Sequence, residues 1–145
     1  MKDPMGTLVD ILRSDPALTA IVAVDHIGTR QTPPPAVRIR DIGMSTRPFG
    51  RGSGRLGLVL GLYAIQCYGP AVDAMGKPID TGPITARQIA GAVVDRLDLL
   101  GPHAGSSYFL RVHTPEIGPA LVDPDTRWPY HTVRAEVYAA AEAIA

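Results

Sequence analysis

The chain has 145 residues, 46% of them hydrophobic and 19% charged, and its 14 basic and 14 acidic side chains cancel to a formal net charge of zero. That composition excludes a disordered chain, and neutrality excludes the bulk attraction that drives non-specific DNA binding. A single cysteine excludes a disulfide framework or a thiolate metal cluster, and no apolar run is long enough to cross a membrane as a helix.

The length suits one domain over residues 1–145. No signal peptide is apparent, so the expected compartment of the newly made chain is the cytosol. In chain order, Leu8, Ile11 and Leu12 form the apolar face of a first helix. Asp15-Pro16 matches an N-cap followed by proline at the first helical position, and Leu18, Ile21 and Val22 continue the face in a second short helix. His26 to Pro35 reads as an extended connector ending in three prolines. Val37-Arg-Ile-Arg-Asp-Ile42 alternates as a half-buried strand with its arginines outside. Gly43 to Arg55, with four glycines and three arginines, predicts a long loop between two antiparallel strands.

The chain is organised around Leu56 to Leu100. Leu56–Tyr68 predicts a long strand with Leu58, Leu60, Leu62 and Ala64 on one face and Val59, Tyr63, Ile65 and Cys67 on the other. Both faces are apolar, so both are expected to meet protein surface. A loop rich in Gly and Pro follows. Then Ala86, Ile89, Ala90, Val93, Val94, Leu97 and Leu100 fall on one helical stripe, over about Pro83 to Leu100. Gly101-Pro102 stops it. Tyr108–His113 predicts a third strand. Thr114–Pro129 is a turn-rich connection that includes the turn Asp123-Pro-Asp-Thr-Arg127, and Tyr130–Tyr138 a fourth strand. Hairpins on either side of a helix predict an α+β fold, a two-layer domain with a mostly antiparallel four-stranded sheet and helices on one face.

Charge is unevenly spread. Residues 30–55 carry six arginines against Asp41, while residues 98–145 carry six acids against three arginines. Such a chain can pair head to tail with copies of itself, although ordinary solvated faces read the same way. The candidate interface residues are therefore Arg47, Phe49, Arg51 and Arg55 on the basic side and Asp123 and Asp125 on the acidic side. Trp128 and Tyr130, flanking Pro129, either cap the edge of the core or anchor a partner.

No catalytic constellation emerges. His26, His103, His113 and His131 are scattered, and His113 with Glu116 is the nearest approach to a metal pair. Gly50-Arg-Gly-Ser-Gly54 lacks the lysine and the following helix of a phosphate-binding loop, and Ser53 lacks a nucleophile elbow. Cys67 sits in an apolar strand with nothing to lower its pKa and reads as inert. Arg47, Arg51 and Arg55 lack the aromatic ladder of a single-strand binder. No cofactor, no metal, no sequence-specific nucleic-acid binding and no membrane contact are expected.

The order of these features resembles the tail terminator (tail-completion) proteins of long-tailed bacteriophages. It rests on a short N-terminal helix ending in Asp15-Pro-Ala-Leu18, a Pro-rich lead into Ala36-Val-Arg-Ile39, a long loop and a strand ending Cys67-Tyr-Gly69. A helix of the form Ala86-x-x-Ile-Ala-x-x-Val93 and the turn Asp123 to Pro129 complete it. The resemblance covers nearly the whole chain and implies a small sheet with helices on one side and a structural, non-enzymatic virion role. It implies a homomeric, typically hexameric, ring on the head-proximal end of the tail, assembled in the host cytoplasm. The ring stops tube polymerisation, contacts the tail tube protein and the neck or head-completion protein, and lets the genome pass through its lumen. The Gly- and Arg-rich stretch Gly43–Arg55 departs from the family pattern. A related neck or head-completion connector is the nearest alternative, and a small α+β hydrolase, lacking a nucleophile–base pair, the more distant one.

Overall fold

The structure is a computed structural model that describes residues 4–48, 57–98, 100 and 108–140. Helix α1 (Pro4–Arg13) presents Thr7, Leu8, Ile11 and Leu12 to the core at helical spacing. Helix α2 (Pro16–Thr19) starts at the N-cap Asp15, whose carboxylate accepts from the Leu18 amide at 3.3 Å, with Pro16 in the first turn. A 3-10 turn at Val24–His26 leads into the two-residue strand β1 (Ile27–Gly28). The Arg13 Nε donates to the Ile27 carbonyl at 2.7 Å and ties α1 to β1.

The long strands are β2 (Ala36–Pro48), β3 (Gly57–Tyr68), β4 (Tyr108–Ile117) and β6 (Pro129–Ala140), with the two-residue β5 (Leu121–Val122) beside β6. The sheet order is β1-β2-β3-β6-β4, with β5 paired to β6, and all pairs except β1–β2 are antiparallel. Helix α3 (Gly82–Asp98) crosses β3, β4 and β6, and α1 lies over β1 and β2, so the helices form one layer and the sheet the other. This is the expected α+β architecture, with six strands among the described residues where four were expected.

The alternation expected for β3 holds over the part whose side chains are described. Tyr63, Ile65 and Cys67 are buried against Val37, Ile39, Val133, Ala135 and Val137, and the stripe Ala86, Ile89, Ala90, Val93 and Leu97 of α3 closes over them. Leu62, Ala64 and Gln66 lie on the opposite face, which carries no helix among the described residues, and are half-buried. Removing these apolar side chains from water supplies roughly 1.5–3 kcal/mol each, and this docks a helix too short to persist alone.

Two close approaches explain three glycines. A Cβ on Gly61 would strike the buried Tyr63 ring at 2.5 Å, so the ring lies back over Gly61. A Cβ on Gly69 would overlap the Gly82 carbonyl, and one on Gly82 would overlap the Pro70 carbonyl. The end of β3 and the start of α3 touch backbone to backbone, and the Gly69 amide donates to Pro129 O at 2.9 Å.

Three sequence expectations are corrected. Gly43–Pro48, expected as loop, is strand, because it continues the ladder opposite Leu62–Gly57 after a bulge between Asp41 and Gly43. The connector His26–Pro35 contains β1, which pairs with Val37 and Arg38. The third strand runs on to Ile117, past a bulge between His113 and Glu116 that absorbs Thr114-Pro115.

Candidate functional site

The sharpest assembly of sequence-singled residues lies where β3 ends and the β5–β6 hairpin turns. Asp123 accepts from the Asp125 amide at 2.9 Å and the Thr126 amide at 3.1 Å through one carboxylate oxygen. Its own amide donates to Trp128 O at 2.9 Å, and its carbonyl accepts from the Arg127 amide at 2.8 Å. Arg127 takes a left-handed φ of 64° to close the turn. The amides of Thr126 and then Asp125 hold the Asp123 carboxyl below its ordinary value, with Arg38 adding a smaller pull in the same direction.

This turn swings Trp128 and Tyr130 onto Tyr68, the last residue of β3. Tyr68 meets Trp128 edge-on at 5.9 Å between ring centroids and Tyr130 at 5.2 Å in a tilted pair. The Tyr68 hydroxyl donates to Gln66 Oε1 at 3.1 Å. Burial pushes the Tyr68 phenol up, Asp123 and Tyr130 push the same way, and Arg38 and Arg40 oppose them. The Arg38 Nε is buried without a hydrogen-bond partner among the described residues. The patch is aromatic at its centre, with Arg38 and Arg40 on the β2 side and Asp123 and Asp125 at the hairpin.

Asp123, Trp128 and Tyr130 therefore come together, and Asp125 stands exposed on the same turn. Trp128 and Tyr130 stack on the strand end rather than on the main core. Arg47 does not join them: its backbone pairs with Leu58, towards the other end of β3. Phe49, Arg51 and Arg55 lie outside the described residues. Sequence reasoning missed Tyr68 and Arg38 as members. The alternation Arg38/Arg40 was the available signal, but nothing local to Tyr68 announces a partner sixty residues on.

The groups considered for chemistry fall elsewhere. The buried His131 donates from Nδ1 to the Gly118 carbonyl at 2.9 Å and fastens the β4–β5 connection to β6. His26 Nδ1 donates to Pro35 O at 3.3 Å, and His103 lies outside the described residues. Cys67 is fully buried, which pushes its thiol far up from the ordinary value and leaves it protonated at neutral pH. No group of three or more metal-binding side chains occurs among the described residues. An open cleft of about 300 Å³ on the helix-free sheet face is lined by Ile42, Leu62, Glu116, Arg134 and Glu136. A groove of about 470 Å³ runs between α2 and α3 over Ala17, Ile21, Gly91 and Ala92. Neither places a nucleophile beside a base.

No family model and no curated protein matches the chain. Among solved structures, the chain is similar to a chain in the virion of a native gene transfer agent particle. The two superpose with a TM-score of 0.55 at 15% identity, over 92% of this chain and 91% of the other. At that identity the likeness is one of fold, and it runs almost end to end.

Proposed function

We propose that this protein is a structural, non-catalytic component of a virion and, within that class, a tail terminator. It forms a homomeric, hexameric ring on the head-proximal end of the tail tube, stops tube growth and joins the tail to the neck. The observation that carries the reading is the nearly end-to-end fold likeness to a chain of a gene transfer agent virion. The site supports it in kind. It offers an aromatic patch with fixed charges and a helix-free sheet face, which are means of holding protein surface rather than of turning over a substrate.

A ring requires a heterologous interface, in which one face of a subunit meets a different face of the next. The chain's basic stretch around Arg47, Arg51 and Arg55 and its acidic hairpin at Asp123 and Asp125 suit that geometry. Exposed ion pairs contribute only about 0–1 kcal/mol each, so apolar contacts supply most of the affinity and the charges set register and encounter rate. The lumen passes the genome without reading its sequence.

Electron microscopy of the purified protein, alone and mixed with tail tubes, tests the reading. Rings seated on one end of each tube are expected. Protein that binds neck complexes and leaves tube ends bare would make it a neck connector instead, and protein that binds neither would remove the virion assignment.

A further inference from the structure

Where the end of α1 meets β1, a polar cleft of about 350 Å³ opens, lined by Arg13, Asp25, Gly28, Thr29, Arg30 and Thr32. None of these residues belongs to the aromatic patch at the end of β3. Arg13 stands in the last turn of α1, and its Nε–H fastens the helix to the Ile27 carbonyl at 2.7 Å. That bond fixes the plane of the guanidinium. It leaves the two terminal nitrogens, with four N–H donors, unengaged among the described residues. Gly28 makes room beneath them: a Cβ there would stand 3.3 Å from Arg13 Nη2, tighter than ordinary contact. Arg30, two residues beyond β1, makes no hydrogen bond or ion pair among the described residues. The Thr32 hydroxyl oxygen is buried and lacks a partner among them as well. An arginine that only tied α1 to β1 would need neither a second arginine on the same cleft nor a glycine beside its terminal nitrogens.

The charges that line the cleft are Arg13 from α1, Asp25 from the 3-10 turn and Arg30 from the loop after β1, two positive against one negative. Asp10, one turn back on α1, is not part of the lining, and His26 is turned to the Pro35 carbonyl. This balance decides the kind of anion. A nucleic acid brings further phosphates beside the first, which would meet Asp25, and the chain's zero net charge supplies no wider attraction. A carboxylate carries one charge and two coplanar oxygens, the shape that the free edge of a guanidinium accepts with two parallel hydrogen bonds.

We infer that this cleft holds the carboxylate of an Asp or Glu side chain from a protein partner, with Arg13 as the fork and Arg30 as the second cation. Asp25 limits the cleft to a single negative charge. Arg13 therefore has two roles, one bond inward to β1 and a pair of bonds outward to the partner. The inference goes beyond the ring reading above and does not rest on it.

The test is a titration of the full-length protein followed by TROSY 1H–15N NMR, which reads the Gly28 and Thr29 amides and the Arg13 Nε–H. The probes are N-acetyl-glutamate α-amide, whose only charge is the side-chain carboxylate, its glutamine counterpart, inorganic phosphate and a short DNA duplex, all at one ionic strength. The glutamate probe is expected to shift these signals saturably and the glutamine probe to leave them in place. Arg30→Gln, at an exposed position with no contact to lose, is expected to weaken that binding at least threefold with an unchanged Tm. Arg13→Lys keeps the charge, removes the fork and is expected to weaken it by at least as much. Asp25→Asn is expected to raise the affinity for phosphate more than that for the carboxylate. The inference is overturned if the glutamate probe moves the signals no more than the glutamine probe does, or if Arg30→Gln binds it as tightly as wild type. Tighter binding of phosphate than of the carboxylate by wild type, or saturation of the same signals by DNA, also overturns it and gives the cleft to a phosphate-bearing ligand. Glutamate binding retained by a protein that forms no ring on tail tubes would leave this site standing and remove the tail reading.

Discussion

Two glycine-to-alanine substitutions are expected to change stability in opposite directions. At Gly69 the added methyl would overlap the Gly82 carbonyl and crowd the Ala86 amide. Both neighbours are backbone, so neither can swing aside as a side chain would. Forcing β3 away from α3 also strains the Gly69 N–Pro129 O bond. Overpacking of this kind costs about 1–3 kcal/mol, a large share of a typical total of about 5–15. For a chain of this size that corresponds to a fall in Tm of about 4–12 °C. At Gly91, inside α3, nothing lies within 4 Å of an added Cβ. Alanine there reduces the backbone entropy lost on folding and is expected to stabilise by about 0.5–1 kcal/mol, a rise of about 2–4 °C. Thermal and urea unfolding followed by circular dichroism, at low protein concentration to keep association out of the measurement, reads both. A Gly69→Ala variant that melts within about a degree of wild type would refute the packing of β3 against α3, and a Gly91→Ala variant that melts lower would refute the open space beside Gly91.

Val93→Asp is expected to unfold the protein, because Val93 is fully buried on the sheet-facing side of α3 and an unpaired buried charge costs several kcal/mol; an unchanged Tm would contradict the helix placement. Cys67 is expected to resist a thiol reagent in the folded state and to react on unfolding; rapid labelling of the native protein would place it at the surface. The Asp123 carboxyl titrates below its ordinary value of 3.8 in the folded chain, so the turn is favoured by the ionised form. Its contribution is in full force above that ordinary value and fades as pH falls through the lower folded value. NMR amide shifts of Asp125 and Thr126 are therefore expected to move only in strongly acidic solution, and a midpoint at or above 3.8 would count against the turn.

What was legible in the sequence was periodic. Leu8, Ile11 and Leu12, the stripe residues Ala86, Ile89, Ala90, Val93 and Leu97, and the alternation Tyr63, Ile65, Cys67 each announce which face is buried, and each is buried, while Val94 and Leu100 of the same stripe are half-buried. The Asp15-Pro16 cap was legible because its chemistry is local. Gly43–Pro48 was misread because Gly, Ser and Pro disfavour strands when considered alone, whereas the partner strand Gly57–Leu62 decides the matter from across the hairpin. Strands β1 and β5 are two residues long and have no period to find. The candidate site was half legible: Asp123, Trp128 and Tyr130 stood out by residue type, but their meeting with Tyr68 depends on sheet register. The separation of Arg47 from that cluster is likewise a product of topology, invisible in a linear tally of charge.

The most direct measurement of the proposed role is the tail-length distribution in a phage that lacks only this protein. Electron microscopy of lysates from a non-complementing host is expected to show filled heads beside unjoined tails of excess and variable length. Joining and length should both return when the protein is supplied in trans. Tails of normal length attached to heads in its absence would contradict the terminator assignment.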